Sequence, residues 1–511
     1  MPQETSANNK RIAKNTMFLY FRMILIMGVT LYTSRVILDK LGVDDYGLYN
    51  VVGGVVGMLS FLNGTLSNGT TRFLTYELGA GNQERLQITF STAFYVHATL
   101  ALIIVLLMET GGMWFLYNKL VIPSERLTAC VWVFQLSILT TLVAITQVPY
   151  TAAIMAHEHM SIYAYISIFE ALSKLGVCYL LSISSIDRLI LYAILIAIVQ
   201  ILVALFYRAY CIHHFSESHL QKVFNKEIFK WMMGFSGWNV MANLAETLKL
   251  QGILVLINMF FAPAVAAAQA VANQVSNAMM QFVNNFRTAI NPQIIKLHAA
   301  GNAEASRKLT LQTTVYCFDL ILILGVPAII MMDEVMHLWL VEVPEYAVVF
   351  TQWIIVCNIV NTFNASFYIP MMAANKMKSN SIAAVIFGIG LFVVLYILLR
   401  FGLGPMWVQY VGLIMAVAFA LFVKPFILYR EINYSAKELL HCYWDCVKVL
   451  LLACFIIIPA LYLIEDGMLW TFIKGLIAFM AVGLSSYICL DKETKVKLNS
   501  FIQKKIQHVR Q

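Results

Sequence analysis

The feature that most constrains this chain is a series of long apolar runs that recurs along its whole length. A run of about 20 apolar residues crosses the hydrocarbon core of a bilayer as an α-helix, in which each residue advances about 1.5 Å. Of the 511 residues, 60% are hydrophobic and 12% are charged, whereas about 25% are charged in an average soluble domain. Backbone polar groups in lipid must bond within their own segment, so such runs form helices. We therefore predict an all-α polytopic membrane protein.

The 20-residue rule predicts about fourteen transmembrane helices. An even number of helices places both chain termini on the same side of the membrane. The approximate cores of the predicted helices are 17–38, 46–67, 89–110, 128–149, 161–182, 187–208, 231–259, 263–289, 310–332, 346–369, 379–399, 406–429, 442–463 and 467–490.

The positions of Lys and Arg predict the orientation of these helices. If the N-terminus lies inside, about 24 of the 35 basic residues fall in inner connections and about 5 in outer ones. The outer connections are acidic, as at Asp44 and Asp45. We therefore place both termini in the cytoplasm. The formal net charge of +8 is then mainly a topology signal, and we expect no nucleic-acid partner.

The sequence lacks the motifs that indicate a bound cofactor or a catalytic centre. Its nine cysteines are scattered singly with no CxxC pair, and no histidines have the i, i+4 spacing of a zinc helix. A P-loop and a nucleophile elbow are also absent. We expect no cofactor, no metal and no catalytic residues. With no ATP site, the driving force for any transport must come from an ion gradient such as H⁺ or Na⁺, from the membrane potential, or from consumption of the product outside.

One polar stretch, from Trp231 to Pro292, stands out within the apolar pattern. It contains two predicted helices in which amides and charges recur at helical spacing. Bare amides and charges facing lipid are costly, so these stripes should face protein or water and line a hydrated cavity. The first helix carries Asn239, Asn243 and Glu246 on one face with Lys249 at its edge, and the second carries Gln269, Asn273, Asn277, Gln281 and Asn284 on one stripe.

An internal repeat displaced by 220 residues indicates two similar halves. Residues 77–84 align with 297–304 and share Ala, Gly, Asn and Glu in register. Six predicted helices separate the copies, so both have the same orientation in the membrane. Parallel repeats of this kind place the substrate site between the halves. We predict a six-helix bundle over 1–220, a second over 221–435, and a C-terminal helix pair with a cytoplasmic tail over 436–511.

Three short motifs resemble the polysaccharide flippases of the multidrug/oligosaccharidyl-lipid/polysaccharide exporter (MOP) superfamily. The segment from Thr33 to Tyr49 contains the Leu-Gly-x-x-x-Tyr-Gly turn that joins helices one and two in that family. The stretch from Ala262 to Ala270 is similar to the matching turn before helix eight, although it lacks the Gly and Tyr often found there. Pro292 followed by Gly301-Asn302 resembles the end of that helix.

This resemblance implies a fold of fourteen helices, namely two six-helix bundles and a C-terminal pair. It also implies transport of lipid-linked (polyprenyl diphosphate) oligosaccharide across the bacterial cytoplasmic (inner) membrane by alternating access, for the biosynthesis of surface polysaccharide such as lipopolysaccharide. The partners would be the lipid-linked glycan and membrane lipid. We expect a monomer that acts alongside glycosyltransferases and a polymerase.

A pyrophosphate crossing a membrane needs cations or amide donors, and sugar hydroxyls suit amides. We expect Arg22, Arg72, Lys249 and Arg287 to supply the cations, and the two amide stripes to line the central cavity. The candidates for ion coupling are Glu246 and Asp319. A second interpretation of Arg72 and Arg287 is that they extend to the inner interface. Glu170 and Lys174, one helical turn apart, are expected to neutralise each other.

Two other functions remain open at this stage. One is a cation-coupled multidrug efflux transporter of the same superfamily, which predicts a cavity of net negative charge. The candidate cavity has more Arg and Lys than Asp and Glu, which favours an anionic cargo. The other is a membrane glycosyltransferase using Asp44 and Asp45. No outer connection much exceeds about 20 residues, and such enzymes usually need a long outer loop, so we predict that the chain is not an enzyme.

Overall fold

The computed structural model describes residues 24–157, 159–183, 186–230, 244, 247–374, 376–465, 467–490 and 494–496. Four predicted site residues, Arg22, Asn239, Asn243 and Glu246, lie outside these residues. All regular secondary structure in the described part of the chain is helical, which confirms the all-α prediction. The described parts of two helices are 24–41 for α1 and 226–230 for α9.

The remaining helices follow the apolar runs. They are α2 (Val43–Gly57), α3 (Phe61–Ala80), α4 (Gln83–Leu107), α5 (Met113–Lys119), α6 (Leu127–Ala156), α7 (Met160–Ile183), α8 (Arg188–His214), α10 (Ile253–Phe260), α11 (Pro263–Ala299), α12 (Ala303–Ile330), α13 (Met332–Trp339), α14 (Ala347–Ser366), α15 (Tyr368–Ala373), α16 (Met377–Arg400), α17 (Trp407–Ala418), α18 (Lys424–Ile432), α19 (Ala436–Leu463) and α20 (Met468–Cys489).

Ten helical segments among the described residues are long and apolar enough to cross a membrane, so the chain is a multi-pass membrane protein. Each of the fourteen predicted cores overlaps at least one helix. The four cores beyond those ten fall on α1, on α2 with α3, on α10 and on α11. The amides of α11 lower its mean hydropathy, and α10 is short. The exact number of fourteen spans therefore remains a prediction.

The contacts divide the chain into two compact units at Val271. The first contains the chain up to Val271, with Leu340–Ala347 and Ser381–Val408. The second contains Ala272–Trp339, Val348–Asn380 and the chain from Gln409 onward. The division into 1–220, 221–435 and 436–511 remains a prediction.

In the first unit α6 is the central helix, and it packs against α2, α3, α4, α7 and α8. Its core face carries apolar side chains, with Cys130, Val133 and Phe134 buried against Leu48 and Val52 of α2. In the second unit α12, α19 and α20 pack on one another. Without a hydrophobic drive between helices in lipid, such close packing is what stabilises the bundle.

The two copies of the sequence repeat form the same local turn. Gly81 and Gly301 have positive φ angles of 69° and 77°, which only glycine adopts readily. Asn82 and Asn302 then cap the following helices, and their side chains accept hydrogen bonds from Arg85 N and Ala305 N at 2.9 Å and 3.1 Å. The repeat therefore has a structural cause, a left-handed glycine followed by an asparagine N-cap.

The first-loop motif has a similar explanation within the first unit. Gly42 turns the chain between α1 and α2 with φ +82°. Gly47 is the point at which α2 meets the start of α11, since an added Cβ would overlap the backbone carbonyl of Pro263. Both glycines are thus required by geometry, one by its backbone conformation and the other by close helix packing.

An arginine links three helix ends in the first unit. Arg126 Nε donates to Asp45 Oδ1 at 2.8 Å, and Arg126 Nη1 donates to Asp187 Oδ2 at 2.5 Å. Asp187 also caps α8. Burial raises the pKa of the Asp45 carboxyl. At Asp187 burial acts in the same direction, but hydrogen bonds from Arg126 and the helix backbone hold the pKa of that carboxyl below its usual value. The cluster joins the starts of α2, α6 and α8.

Candidate functional site

The structure places the five predicted amides of α11 on one continuous helix, at the spacing the sequence indicated. Gln269 is buried, Asn273 and Asn284 are half-buried, and Asn277 and Gln281 are exposed. The stripe is therefore most accessible at Asn277 and Gln281 and is covered toward Gln269.

Arg287 continues this stripe, because it lies one turn after Asn284. Its Nη2 donates to Asn284 Oδ1 at 2.7 Å. Its Nη1 is buried and has no hydrogen-bond partner within the described part of the chain. A guanidinium offers several donors in a fixed fork, which suits phosphate oxygens. The end of the stripe is therefore a cation with a donor still available.

The other predicted residues are more dispersed. Arg72 is exposed on α3, and Lys249 is half-buried in the π-helical turn Leu248–Gly252 that leads into α10. Asp319 is buried on α12, where that helix packs against α20 in the second unit. Arg287 and Asn284 are in direct contact through their hydrogen bond.

The first unit contains a polar cavity that the sequence did not indicate. This cavity has a volume of about 500 Å³ and is bounded by α1, α3, α6, α7 and α8. Hydroxyl and amide groups dominate its polar lining. Its polar side chains are Thr30, Ser67, Gln147, Thr151, Tyr163, Ser167, Glu170, Lys174, Gln200 and Tyr207.

The charges in this cavity compensate each other. Lys174 Nζ donates to Glu170 Oε1 at 2.7 Å, one turn away on α7, which confirms the predicted pair. Gln200 Nε2 from α8 donates to the same oxygen at 3.2 Å. Glu170 is the one carboxylate among the described lining residues, and Lys174 is the one ammonium. The described lining is therefore polar, and the charges of its residues cancel.

Such a lining binds uncharged polar groups more readily than ions. Amides and hydroxyls donate and accept, so they match sugar hydroxyls, which do both. Two tyrosine rings, of Tyr163 and Tyr207, lie 6.4 Å apart at the same cavity and add apolar faces with polar tips. The cavity can thus hold a neutral polar group inside a membrane-spanning unit.

A second buried charge was also not identified from the sequence. Lys424, at the start of α18, is 3% exposed, and its Nζ donates to Asn380 Oδ1 at 2.5 Å. The rings of Tyr368 and Phe419 lie 5.9 Å and 5.5 Å from the ammonium. Its environment is closed and compensated, so we interpret this lysine as structural.

Comparison with solved structures gives close likeness of fold at low sequence identity. The lipid II flippase MurJ in an inward closed conformation aligns with a TM-score of 0.66 and 13% identity, over 93% of this chain and 98% of that one. An inward-facing multidrug resistance MATE family transporter of the MOP superfamily aligns with a TM-score of 0.63 and 12% identity, over 81% and 100%.

A MOP superfamily transporter from Pyrococcus furiosus, described by the reverse polarity of its binding pocket, aligns with a TM-score of 0.57 and 14% identity, over 81% and 96%. No protein-family model matches the chain, and no curated protein matches it in sequence. The chain therefore has the same fold as these solved structures, which is the fold that the resemblance of its short motifs implied.

Proposed function

We propose that the chain is a flippase that moves lipid-linked (polyprenyl diphosphate) oligosaccharide from the inner to the outer leaflet of the bacterial cytoplasmic membrane by alternating access, for surface polysaccharide such as lipopolysaccharide. The observation that carries this proposal is the cavity of the first unit, whose described residues carry hydroxyls, amides and one neutralised ion pair. No cofactor and no nucleic acid take part, and the protein is a transporter rather than an enzyme. It acts as a monomer alongside glycosyltransferases and a polymerase.

The two parts of the cargo match different residues. Sugar hydroxyls pair with Gln147, Gln200 and the hydroxyls around them, because each group there can both donate and accept. The diphosphate needs donors that carry positive charge, and Arg287 of the second unit is a candidate, since its Nη1 has no hydrogen-bond partner among the described residues. The amides of α11 add neutral donors beside it.

The charge balance separates this function from export of organic cations. A cation-binding cavity needs a carboxylate that is not already neutralised. Here Glu170 Oε1 accepts from both Lys174 and Gln200, so its charge is compensated within the cavity. This observation favours binding of the uncharged sugar part of the cargo over binding of a cationic drug.

The first experiment is deletion in the native host, followed by extraction of lipid-linked sugars. We expect lipid-linked glycan to accumulate on the inner leaflet, and the wild-type chain to restore export. The double variant Gln147→Leu with Gln200→Leu should restore at least tenfold less glycan export than the wild-type chain. Gln135→Leu is the matched control, because Gln135 lies on the same helix as Gln147 but bonds Glu109 outside the cavity. Unchanged glycans with raised drug sensitivity after deletion would show an efflux transporter instead.

The second experiment changes the cavity charge. Lys174→Met leaves the Glu170 carboxylate without its cation, so glycan export should fall by roughly tenfold, equivalent to about 1.4 kcal/mol. Adding Glu170→Gln restores neutrality and should recover most of the export. An efflux transporter would respond in the opposite way, with cation export retained or increased by Lys174→Met alone.

A further inference from the structure

A groove of about 730 Å³ lies in the second unit among α12, α19 and α20. Its lining is distinct from the amide stripe and from the polar cavity of the first unit. Along α12 its polar residues are spaced three or four apart, from Glu304 through Lys308, Gln312 and Tyr316 to Asp319. Those 15 residue steps correspond to about 22 Å of helix. The groove therefore leads from the exposed first turn of α12, on the predicted inner face, to a carboxyl deep in the unit.

Asp319 lines this groove, and little around it would stabilise a negative charge on its carboxyl group. The residue is 6% exposed, and its Oδ1 has no hydrogen-bond partner within the described residues. The neighbouring hydroxyl belongs to Ser486 of α20, which is also buried. A buried carboxylate without a cation is costly, and a bound proton removes that cost while supplying a donor.

The groups between the surface and Asp319 can exchange protons. Asp445 of α19 lies in the groove, where it pairs with Lys448 Nζ at 2.7 Å and lies 3.6 Å from His441 Nε2. Glu304 and Glu438 lie nearer the exposed end. The other titratable groups that line the groove or lie around Asp319 are the phenol of Tyr316, the ammonium of Lys308 and the thiols of Cys442, Cys446 and Cys489. Acids at the mouth attract cations.

The donor set favours a proton over a metal ion. Hard cations take about six or more oxygen ligands. Asp319 contributes one carboxyl and Ser486 one hydroxyl, and the nearest further groups include thiols, which suit soft metals. No group of three or more metal-binding side chains occurs within the described residues. The groove is nevertheless wide enough for many water molecules, each of which needs about 10–15 Å³.

We propose that Asp319 is a proton-binding site reached from the inner face through this groove. A hydronium ion in the groove gives its proton to Asp319 Oδ1, which forms the carboxylic acid and leaves a water molecule. The reverse step returns the proton, and no other bond changes. Proton binding at Asp319 rests on the groove alone, whereas its use as the coupling step for glycan export rests on the proposed flippase function.

The test uses the full chain in lipid vesicles and infrared spectroscopy, because the carbonyl stretch of a carboxylic acid is separate from that of a carboxylate. We expect a carboxylic-acid band that titrates with pH and is lost in Asp319→Asn. It should persist in the control Asp333→Asn, which changes an exposed aspartate of α13 outside the groove. Replacing Na⁺ with K⁺ should leave the band unchanged. A band that survives in Asp319→Asn, or that responds to Na⁺, overturns the proposal.

Two further measurements test the proposal, one with a second variant and one with vesicles of opposite orientation. If Asp319→Asn does not fold, Ser486→Ala retains the carboxyl and should shift the position or titration of the band, and an unchanged band overturns the proposal. In inside-out vesicles a pH change in the bath should titrate the band, and in right-side-out vesicles it should not. The opposite result overturns access from the inner face.

Glycan export then tests the coupling separately. If the wild-type chain exports no glycan while the band behaves as expected, the flippase function fails and the proton site stands. If the wild-type chain exports glycan with a dependence on the pH gradient, Asp319→Asn should lose that dependence. Retained dependence in Asp319→Asn overturns the coupling role and leaves the flippase function intact.

Discussion

The buried pair of Lys424 and Asn380 allows a stability prediction that can be worked out in some detail. Both residues are 3% exposed, and the single hydrogen bond between them is charge-assisted. Replacing Asn380 by Leu removes the acceptor and leaves a buried ammonium. Loss of a hydrogen bond to a charged group costs about 1.5–3 kcal/mol; breaking a buried ion pair, which also leaves a buried charge without its partner, costs about 3–5 kcal/mol and serves as an upper bound, because Asn380 is neutral.

Two effects hold the cost of Asn380→Leu near the value at which these two ranges meet. The rings of Tyr368 and Phe419 still face the ammonium, and such contacts contribute about 0.5–2 kcal/mol. Lys424 can also lose its proton, which limits the penalty. We therefore expect Asn380→Leu to lower the free energy of unfolding by about 3 kcal/mol. Lys424→Met removes the charge and its desolvation cost together, so it should change stability by less than about 1 kcal/mol.

The assay is a double-mutant cycle on reversible unfolding in mixed micelles containing SDS. The variant with both substitutions should be close to Lys424→Met alone, which gives a coupling energy of about 2–3 kcal/mol. If the two single changes add within about 0.5 kcal/mol, the residues do not interact and the reasoning is wrong. Thermal unfolding of the four chains should give the same order of stability.

Two further predictions concern the first unit. Arg126→Gln should lower the unfolding free energy by about 1 kcal/mol near neutral pH, since the ion pairs are partly exposed. The pKa of Asp187 is lower in the folded chain than in the unfolded one. Its contribution to stability is therefore present above the unfolded pKa and is lost as the pH falls through the folded pKa. Acid should destabilise the wild type more than this variant, and equal acid sensitivity in thermal melts would contradict that. Gly47→Ala should cost at least about 2 kcal/mol, because the new Cβ overlaps the rigid carbonyl of Pro263. Gly53→Ala on the same helix meets only Ser137 Oγ at 3.8 Å and should be neutral or stabilising in the same melts.

Several features could be predicted because they depend on residues close together in the chain. The helices follow from hydropathy, since a backbone in lipid has to satisfy its own polar groups. The turn at Gly81 and its repeat at Gly301 follow from a glycine that tolerates positive φ and an asparagine that caps the next helix. The Glu170 and Lys174 pair follows from the i, i+4 spacing of a helix.

The polar cavity could not be predicted, because its residues are isolated on separate helices. Gln147 and Gln200 each look like one amide within an apolar run, and neither forms a stripe with its own neighbours. Only the packing of α6 against α8 and α7 against α8 brings them to one space. The closed environment of Lys424 has the same origin, since Asn380 lies 44 residues away.

The sequence by itself thus determined the class of protein, the positions of its helices and the local turns of its repeat. The tertiary structure decided which polar side chains share a cavity, and which charges are compensated. It also placed Asp319 beside Ser486, more than 160 residues away, at the end of a groove. The physical reason is that hydropathy and helical periodicity act along the chain, whereas a cavity depends on side-chain packing between helices that are far apart in sequence.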